Sequence, residues 1–144
     1  MSVSTFVLKD QNDQEVKFAD FQGKKFLLSF HPLAFTSVCG RQMQDLDARY
    51  DQFMAKGITP FGVSIDQQYS KKVWAESLGL KKLPLLADFW PHGALAEALG
   101  CFIAKAGVSG RSNFLIGGDG EVIWSKRHEI SEQPDFDAIL KEMP

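Results

Sequence analysis

Phe26-Leu27-Leu28-Ser29-Phe30-His31-Pro32-Leu33-Ala34-Phe35-Thr36-Ser37-Val38-Cys39 is the stretch on which the fold turns. Its first five residues form a nearly all-apolar run of strand length, entered from Lys24-Lys25. Such a run suits a strand buried on both faces. Pro32 biases His31 away from helical conformation, so residues 31–36 read as a loop. Thr36 is a good N-cap for a helix from about 37 to 56. Within it Cys39, Met43, Leu46, Tyr50 and Phe53 recur at spacings of three and four and make one apolar stripe. Gly57 is a natural stop.

Strand and helix then alternate on both sides of this unit. Residues 5–9 and 14–18 are short strand-like runs around Asp10-Gln11-Asn12-Asp13, which predicts a hairpin. Downstream, 58–65 reads as a strand and 69–79 as a helix with Val73, Trp74 and Leu78 inward. Leu83-Pro84-Leu85-Leu86 is extended, and 91–99 is a helix ended by Gly100. Residues 112–116 and 121–125 flank Gly117-Gly118-Asp119-Gly120, where Asp-Gly between apolar runs signals a second hairpin. The last helix starts near 134, with Phe136, Ile139, Leu140 and Met143 on one face. Strand–helix alternation predicts an α/β three-layer sandwich. A hairpin near each end adds antiparallel strands to a parallel centre. A thioredoxin-like sandwich with a mixed central sheet and an N-terminal β-hairpin satisfies this pattern. At 144 residues the chain reads as one domain, 1–144.

The composition, 44% hydrophobic and 24% charged, is that of an ordinary globular domain and excludes disordered, collagen-like and membrane-spanning chains. A net charge of -2 leaves no electrostatic footprint for nucleic acid or anionic lipid. The pairs Lys24-Lys25, Lys71-Lys72 and Lys81-Lys82 read as solvated faces. The N-terminus lacks a secretory pattern, which predicts a cytoplasmic protein. Two cysteines, Cys39 and Cys101, are too few for a disulfide scaffold, and the absence of CxxC excludes a zinc ribbon and dithiol chemistry. His92 and His128 have no ligand spacing, so no metal is expected. Without a phosphate loop or GxGxxG, no flavin or nicotinamide cofactor is expected either.

The chemistry gathers at Cys39. It follows a buried strand and falls in the first turn of the next helix, where unpaired N–H groups and the helix dipole favour an anion. A thiol so placed is partly thiolate at neutral pH. Thr36 lies within reach of the same helix start. In α/β folds ligand sites form beyond the carboxyl ends of strands, where this loop falls. Position alone leaves a second reading open, an inert thiol on the helix's apolar stripe.

Pro32-x-x-x-Thr36-x-x-Cys39 resembles the PxxxTxxC signature of the peroxiredoxins, the alkyl hydroperoxide reductase and thiol-specific antioxidant family. The strand before it, Val63-Ser64-Ile65-Asp66, Trp74-Ala75-Glu76, Pro84-Leu85-Leu86-Ala87-Asp88 and Arg111-Ser112-Asn113-Phe114-Leu115-Ile116 look like family landmarks in family order. The resemblance implies a thiol-dependent peroxidase acting on hydrogen peroxide and organic hydroperoxides. Cys39 would be the peroxidatic thiolate, oxidised to sulfenic acid. It further implies that Thr36 bonds thiolate and peroxide, that Arg111 supplies a permanent charge, and that Pro32 shields the thiolate from water. The electrons would come from an external thiol or a thioredoxin-like protein, and the chain would pair as a homodimer near its active-site loops.

Three residues depart from the family pattern. His31 stands where an aromatic residue is common, and reads as a packed ring with a satisfied N–H or as a titrating neighbour. Gly40 follows Cys39 and weakens that turn of helix. Gln42 replaces a common Glu and adds no charge. Cys101 reads as a core thiol, with a resolving cysteine as the alternative and a one-cysteine mechanism as the expectation. Two rival functions remain at this stage. One is a non-catalytic thioredoxin-fold module for binding or redox sensing. The other is a cysteine hydrolase using Cys39 with His31 or His92.

Overall fold

The apolar run 26–30 takes the inner position the sequence assigns to it, and the rest of the molecule is arranged on both sides of it. The computed structural model describes residues 2–144. In chain order the elements are β1 (Val7–Lys9), β2 (Glu15–Lys17), a single 3-10 turn (Phe18–Phe21), β3 (Lys25–Phe30), α1 (Ser37–Ala48), α2 (Tyr50–Ala55) and β4 (Ile58–Ser64). There follow α3 (Gln68–Leu78), β5 (Leu85–Ala87), α4 (Ala94–Ala98), β6 (Phe102–Ile103), β7 (Val108–Ser109), β8 (Ser112–Ile116), β9 (Val122–Arg127) and α5 (Phe136–Glu142).

The main sheet has seven strands in the order β2-β1-β5-β4-β3-β8-β9. β3, β4 and β5 run parallel, and the flanking pairs are antiparallel. This is the mixed sheet expected, with the N-terminal hairpin on one edge and the Gly117–Gly120 hairpin on the other. The pleat sends alternate residues to opposite faces. Leu27 and Leu115 join Met43, Leu46, Phe53, Trp74, Phe136 and Ile139 in a core under α1, α2, α3 and α5. Phe26, Leu28, Phe30, Phe61, Val63 and Phe114 join Phe18, Leu86 and Leu95 in a second core on the other face. Gly62 lets α1 come close to the sheet. A Cβ there would collide with Met43 Sδ and lie 2.8 Å from Leu85 Cδ2.

Several expectations need correction. The helix expected over 37–56 is two helices, broken at Arg49. The Arg49 guanidinium donates to both carboxylate oxygens of Asp137, at 2.8 and 3.1 Å, tying the joint to α5. Past the joint α2 carries Phe53 edge-on to Phe136, with centroids 6.2 Å apart. On α3 the inward stripe is Lys71, Trp74 and Ala75, while Val73 is 61% exposed. Lys71 is therefore not part of a solvated face. The helix expected over 91–99 is only five residues long. Its first turn is bonded by Asp88, which accepts from Leu95 N–H and Ala96 N–H at 2.9 Å each. The two-stranded β6–β7 sheet was not foreseen, because strands of two residues carry no alternation to read. Among the described residues no helix is long and apolar enough to cross a membrane.

Candidate active site

The site lies where the chain leaves β3. His31 N–H donates to Val63 C=O at 3.0 Å and carries the parallel ladder one residue beyond β3. Its own carbonyl accepts from Ser109 Oγ at 3.0 Å. The loop is then held from below by one carboxylate oxygen. Asp66 Oδ2 accepts from Ala34 N–H at 2.8 Å and from Ser64 Oγ at 2.6 Å. Phe35 sits at φ 67, a left-handed conformation uncommon for a bulky side chain. Its half-exposed ring lies 6.2 Å from Trp74. Pro32 is buried.

Thr36 occupies the N-cap position in extended conformation, and its carbonyl accepts the first helical bond from Gly40 N–H at 2.9 Å. Its hydroxyl does not cap the helix as the sequence suggests. Oγ1 donates instead to Leu33 C=O at 2.8 Å, because the loop folds back against the helix start.

Cys39 lies in the first turn of α1 and is buried. Arg111, just ahead of β8, is buried with it. Its Nη1 lies 3.5 Å from Cys39 Sγ and donates to Gln42 Oε1 at 2.6 Å. The other edge of the guanidinium, Nε and Nη2, donates to Ile130 C=O at 3.0 and 2.8 Å. Gln42 is fixed in turn. Its Nε2 donates to Ser29 Oγ at 2.9 Å and Phe30 C=O at 3.2 Å, which leaves its oxygen facing Arg111. Of the three groups among the described residues that receive Arg111 bonds, the amide and the carbonyl are neutral and Cys39 alone can ionise. The guanidinium thus has no carboxylate among its hydrogen-bond partners, and one of its N–H groups faces the Cys39 sulfur.

The structure thus brings Cys39 and Arg111 together, with Pro32 and Thr36 in the same loop and helix start. Gln42 and Ile130 complete the arrangement. Gln42 was singled out in the sequence as a residue that can still hydrogen-bond but adds no charge. The Ile130 carbonyl left no trace there, since every residue has one. Gly40 also has a packing reason, for a Cβ there would lie 3.3 Å from Leu78 Cδ2 on α3.

His31 is fully buried and its ring packs against Trp74 with centroids 5.2 Å apart, the aromatic's role expected of it. The expected satisfied N–H is missing, since neither ring nitrogen has a hydrogen-bond partner. Burial, with the charges of Lys71 and Arg111 added, holds its pKa well below the usual histidine range. His92 bonds Gly107 C=O at 2.7 Å. Neither histidine is hydrogen-bonded to Cys39, so the pair a cysteine hydrolase needs is not assembled. Cys101 belongs to the core on the opposite face of the sheet from Cys39. Burial pushes its thiol up to about 12. Among the described residues no group of three or more His, Cys, Asp or Glu could hold a metal ion.

The AhpC/TSA family model matches residues 2–125. Alkyl hydroperoxide reductase E of Mycobacterium bovis is 34% identical over 131 residues, which cover 90% of this chain and 85% of that protein. A peroxiredoxin of Thermococcus kodakarensis is 33% identical over 134 residues, covering 88% of this chain and 61% of the other. Among solved structures, Enterococcus faecalis AhpC superposes with a TM-score of 0.87 at 24% identity, covering 99% of this chain and 89% of that one. Plasmodium vivax 2-Cys peroxiredoxin, reduced, gives 0.83 at 26% identity over 93% and 72% of the two chains. Fold, sequence and the motif around Cys39 agree: the chain belongs to the AhpC/TSA family of peroxiredoxins and is a thiol-dependent peroxidase.

Proposed function

We propose that Cys39 is the thiolate that attacks the peroxide, and that hydrogen peroxide and organic hydroperoxides are its substrates. The observation that carries this reading is the buried Arg111 guanidinium, whose only ionisable hydrogen-bond partner among the described residues is Cys39 Sγ at 3.5 Å. The thiolate attacks the distal oxygen, the S–O bond forms as the O–O bond breaks, and the leaving oxygen takes a proton. Cys39 is left as sulfenic acid. Negative charge passes from sulfur to the leaving oxygen, and a fixed cation beside both lowers the barrier. Gln42 and the Ile130 carbonyl keep that cation from rotating away.

Thr36 takes a narrower part than the resemblance implied. Its hydroxyl proton is given to Leu33 C=O, so Oγ1 accepts the peroxide's O–H and turns the distal oxygen toward sulfur. Pro32, buried and without an N–H, keeps water from the thiolate. The electrons come from an external thiol or a thioredoxin-like protein in a one-cysteine cycle. The sheet between Cys39 and Cys101 supports this. Two free thiols fit a cytoplasmic setting. Residues 1–144 act as one domain. Exposed Leu33, Phe35, Tyr69 and Val73 around the active-site loop favour a homodimer.

The test is stopped-flow tryptophan fluorescence with hydrogen peroxide, followed by intact mass, on the wild type and Cys39→Ser. Trp74, packed against His31 and Phe35, is a local reporter. The wild type should show a fast phase and gain one oxygen, and Cys39→Ser neither. Most of the activity surviving in Cys39→Ser would overturn the assignment.

A further inference from the structure

Four buried side-chain atoms among the described residues have no hydrogen-bond partner, and three of them belong to Lys71 and His31. Lys71 Nζ is fully enclosed on the inner face of α3, one turn before Trp74, whose ring lies on His31. The groups that act on Lys71 come from four elements. They are Asp66 after β4, Asp88 after β5, Cys39 on α1 and His31 after β3. Arg111, ahead of β8, acts on the same His31 ring.

The three acidic groups differ in one respect. Asp66 Oδ2 is bonded to Ala34 N–H and Ser64 Oγ, and Asp88 to Leu95 N–H and Ala96 N–H. Peroxide chemistry leaves both carboxyl groups unchanged. Cys39 is the one anion in this set that the reaction removes. An ammonium held without hydrogen bonds, by distant charges alone, must therefore respond to the oxidation of Cys39. Interacting ionisations are reciprocal, so the same ammonium must favour the thiolate.

We propose that Lys71 is a positioning residue for Cys39: a second buried cation that holds the thiol ionised and gives up a proton as the thiolate becomes sulfenic acid. The proposal rests on Cys39 being the attacking thiol. In the balanced step the S–O bond forms, the O–O bond breaks, and sulfur passes two electrons to the peroxide. The leaving alkoxide, or hydroxide for hydrogen peroxide, takes one proton. With the thiolate charge gone, Lys71 releases a proton of its own, which offsets the uptake from water, and ends as the neutral amine. Burial pushes the Lys71 amine down to about 7, against the opposing pull of Asp66, Asp88 and Cys39, so the exchange falls near neutrality. Arg111 cannot do this, because a guanidinium stays charged. His31, kept neutral by burial beside both cations, adds no competing positive charge.

The experiment counts protons. The reduced wild-type protein is mixed with one equivalent of hydrogen peroxide in weak buffer containing a pH indicator, between pH 6.5 and 9. Sulfenic acid is quantified in parallel with a trap. Oxidation of a thiolate alone takes up one proton per sulfenic acid formed. If loss of the Cys39 charge moves Lys71 by about one pK unit, uptake should fall short by about half a proton near pH 7. It should return to one toward pH 9, where the amine is neutral in both states. Lys71→Met should move the midpoint of Cys39 alkylation upward and, at every pH above that midpoint, take up one full proton per sulfenic acid. Lys71→Arg should restore the alkylation midpoint without restoring the shortfall. Uptake of one proton at every pH in the wild type overturns the proposal, as does a shortfall in Lys71→Met above its own alkylation midpoint, which would belong to the sulfenic acid itself. Failure to form sulfenic acid at Cys39 would instead overturn the assignment of the attacking thiol.

Discussion

Replacing Lys71 by Met should make the protein more stable, by an amount that depends on pH. Met keeps a long chain in the core and removes the amine. In the wild type burial lowers the Lys71 pKa from 10.5 to about 7. Between these values the unfolded chain binds a proton that the folded one does not, so stability rises with pH. Below pH 7 the burial cost is felt in full, and a displacement of three to four units corresponds to about 5 kcal/mol. From pH 7 to 9 the wild type should recover about 2 kcal/mol of this. The window is bounded on both sides. His31 must be charged on acid unfolding, which lowers stability below its usual pKa of 6.5. Cys101, held at about 12 against a usual 9.0, lowers stability above pH 9. Both groups are present in both proteins. Urea unfolding at pH 7, 8 and 9 under reducing conditions, followed by tryptophan fluorescence, gives the comparison. Lys71→Met should start several kcal/mol above the wild type at pH 7, with the gap closing by about 2 kcal/mol at pH 9. Parallel stability curves for the two proteins would refute the reasoning. A variant that is more stable but less reactive would be a stability–activity trade-off traceable to one amine.

Arg111→Ala should slow Cys39 oxidation by roughly 10²–10³-fold, the usual cost of a fixed donor aimed at developing charge. Arg111→Lys should recover thiolate formation better than rate, since an ammonium lacks the planar fork that reaches Cys39 and Gln42 from one edge and Ile130 from the other; an unchanged alkylation pH profile in Arg111→Ala would count against both. Cys101→Ala should leave turnover with a small thiol reductant largely unaltered, and a Cys39–Cys101 disulfide in the peptide map would contradict that. Gly62→Ala should cost about 1–3 kcal/mol in urea unfolding, because its Cβ meets Met43 and Leu85; a loss within 0.5 kcal/mol would mean that α1 yields more easily than its packing implies.

Much of this architecture is legible in the chain because its signals are local. Residues 26–30 need no context to read as a buried strand, and Pro32, Thr36 and Cys39 follow at the spacing that marks the loop and helix start. The two hairpins announce themselves through Asn-Asp and Asp-Gly turns. What escaped depends on distant partners. Arg49 breaks a continuous apolar stripe at the point where Asp137, far along the chain, takes its guanidinium. Lys71 and Val73 exchange places relative to hydropathy, and the charges of Asp66 and Asp88 that act on the buried amine are ones no periodicity reports. The Thr36 hydroxyl turns from helix to loop for a carbonyl three residues back, a choice set by the path of residues 33–36. At the candidate site Cys39 and Arg111 were legible, and the Ile130 carbonyl that holds the guanidinium was not.

The grip of Ile130 on Arg111 has an evolutionary side. The acceptor is a main-chain carbonyl, so no point substitution at 130 can delete it. The half-exposed side chain at that position is free to drift while the Arg111 guanidinium keeps its anchor. Changes of length are another matter. One residue gained or lost between His128, bonded to the Arg111 carbonyl, and Phe136 on α5 would slide the anchoring carbonyl out of register. Selection on this segment should therefore act on its number of residues far more than on their identity.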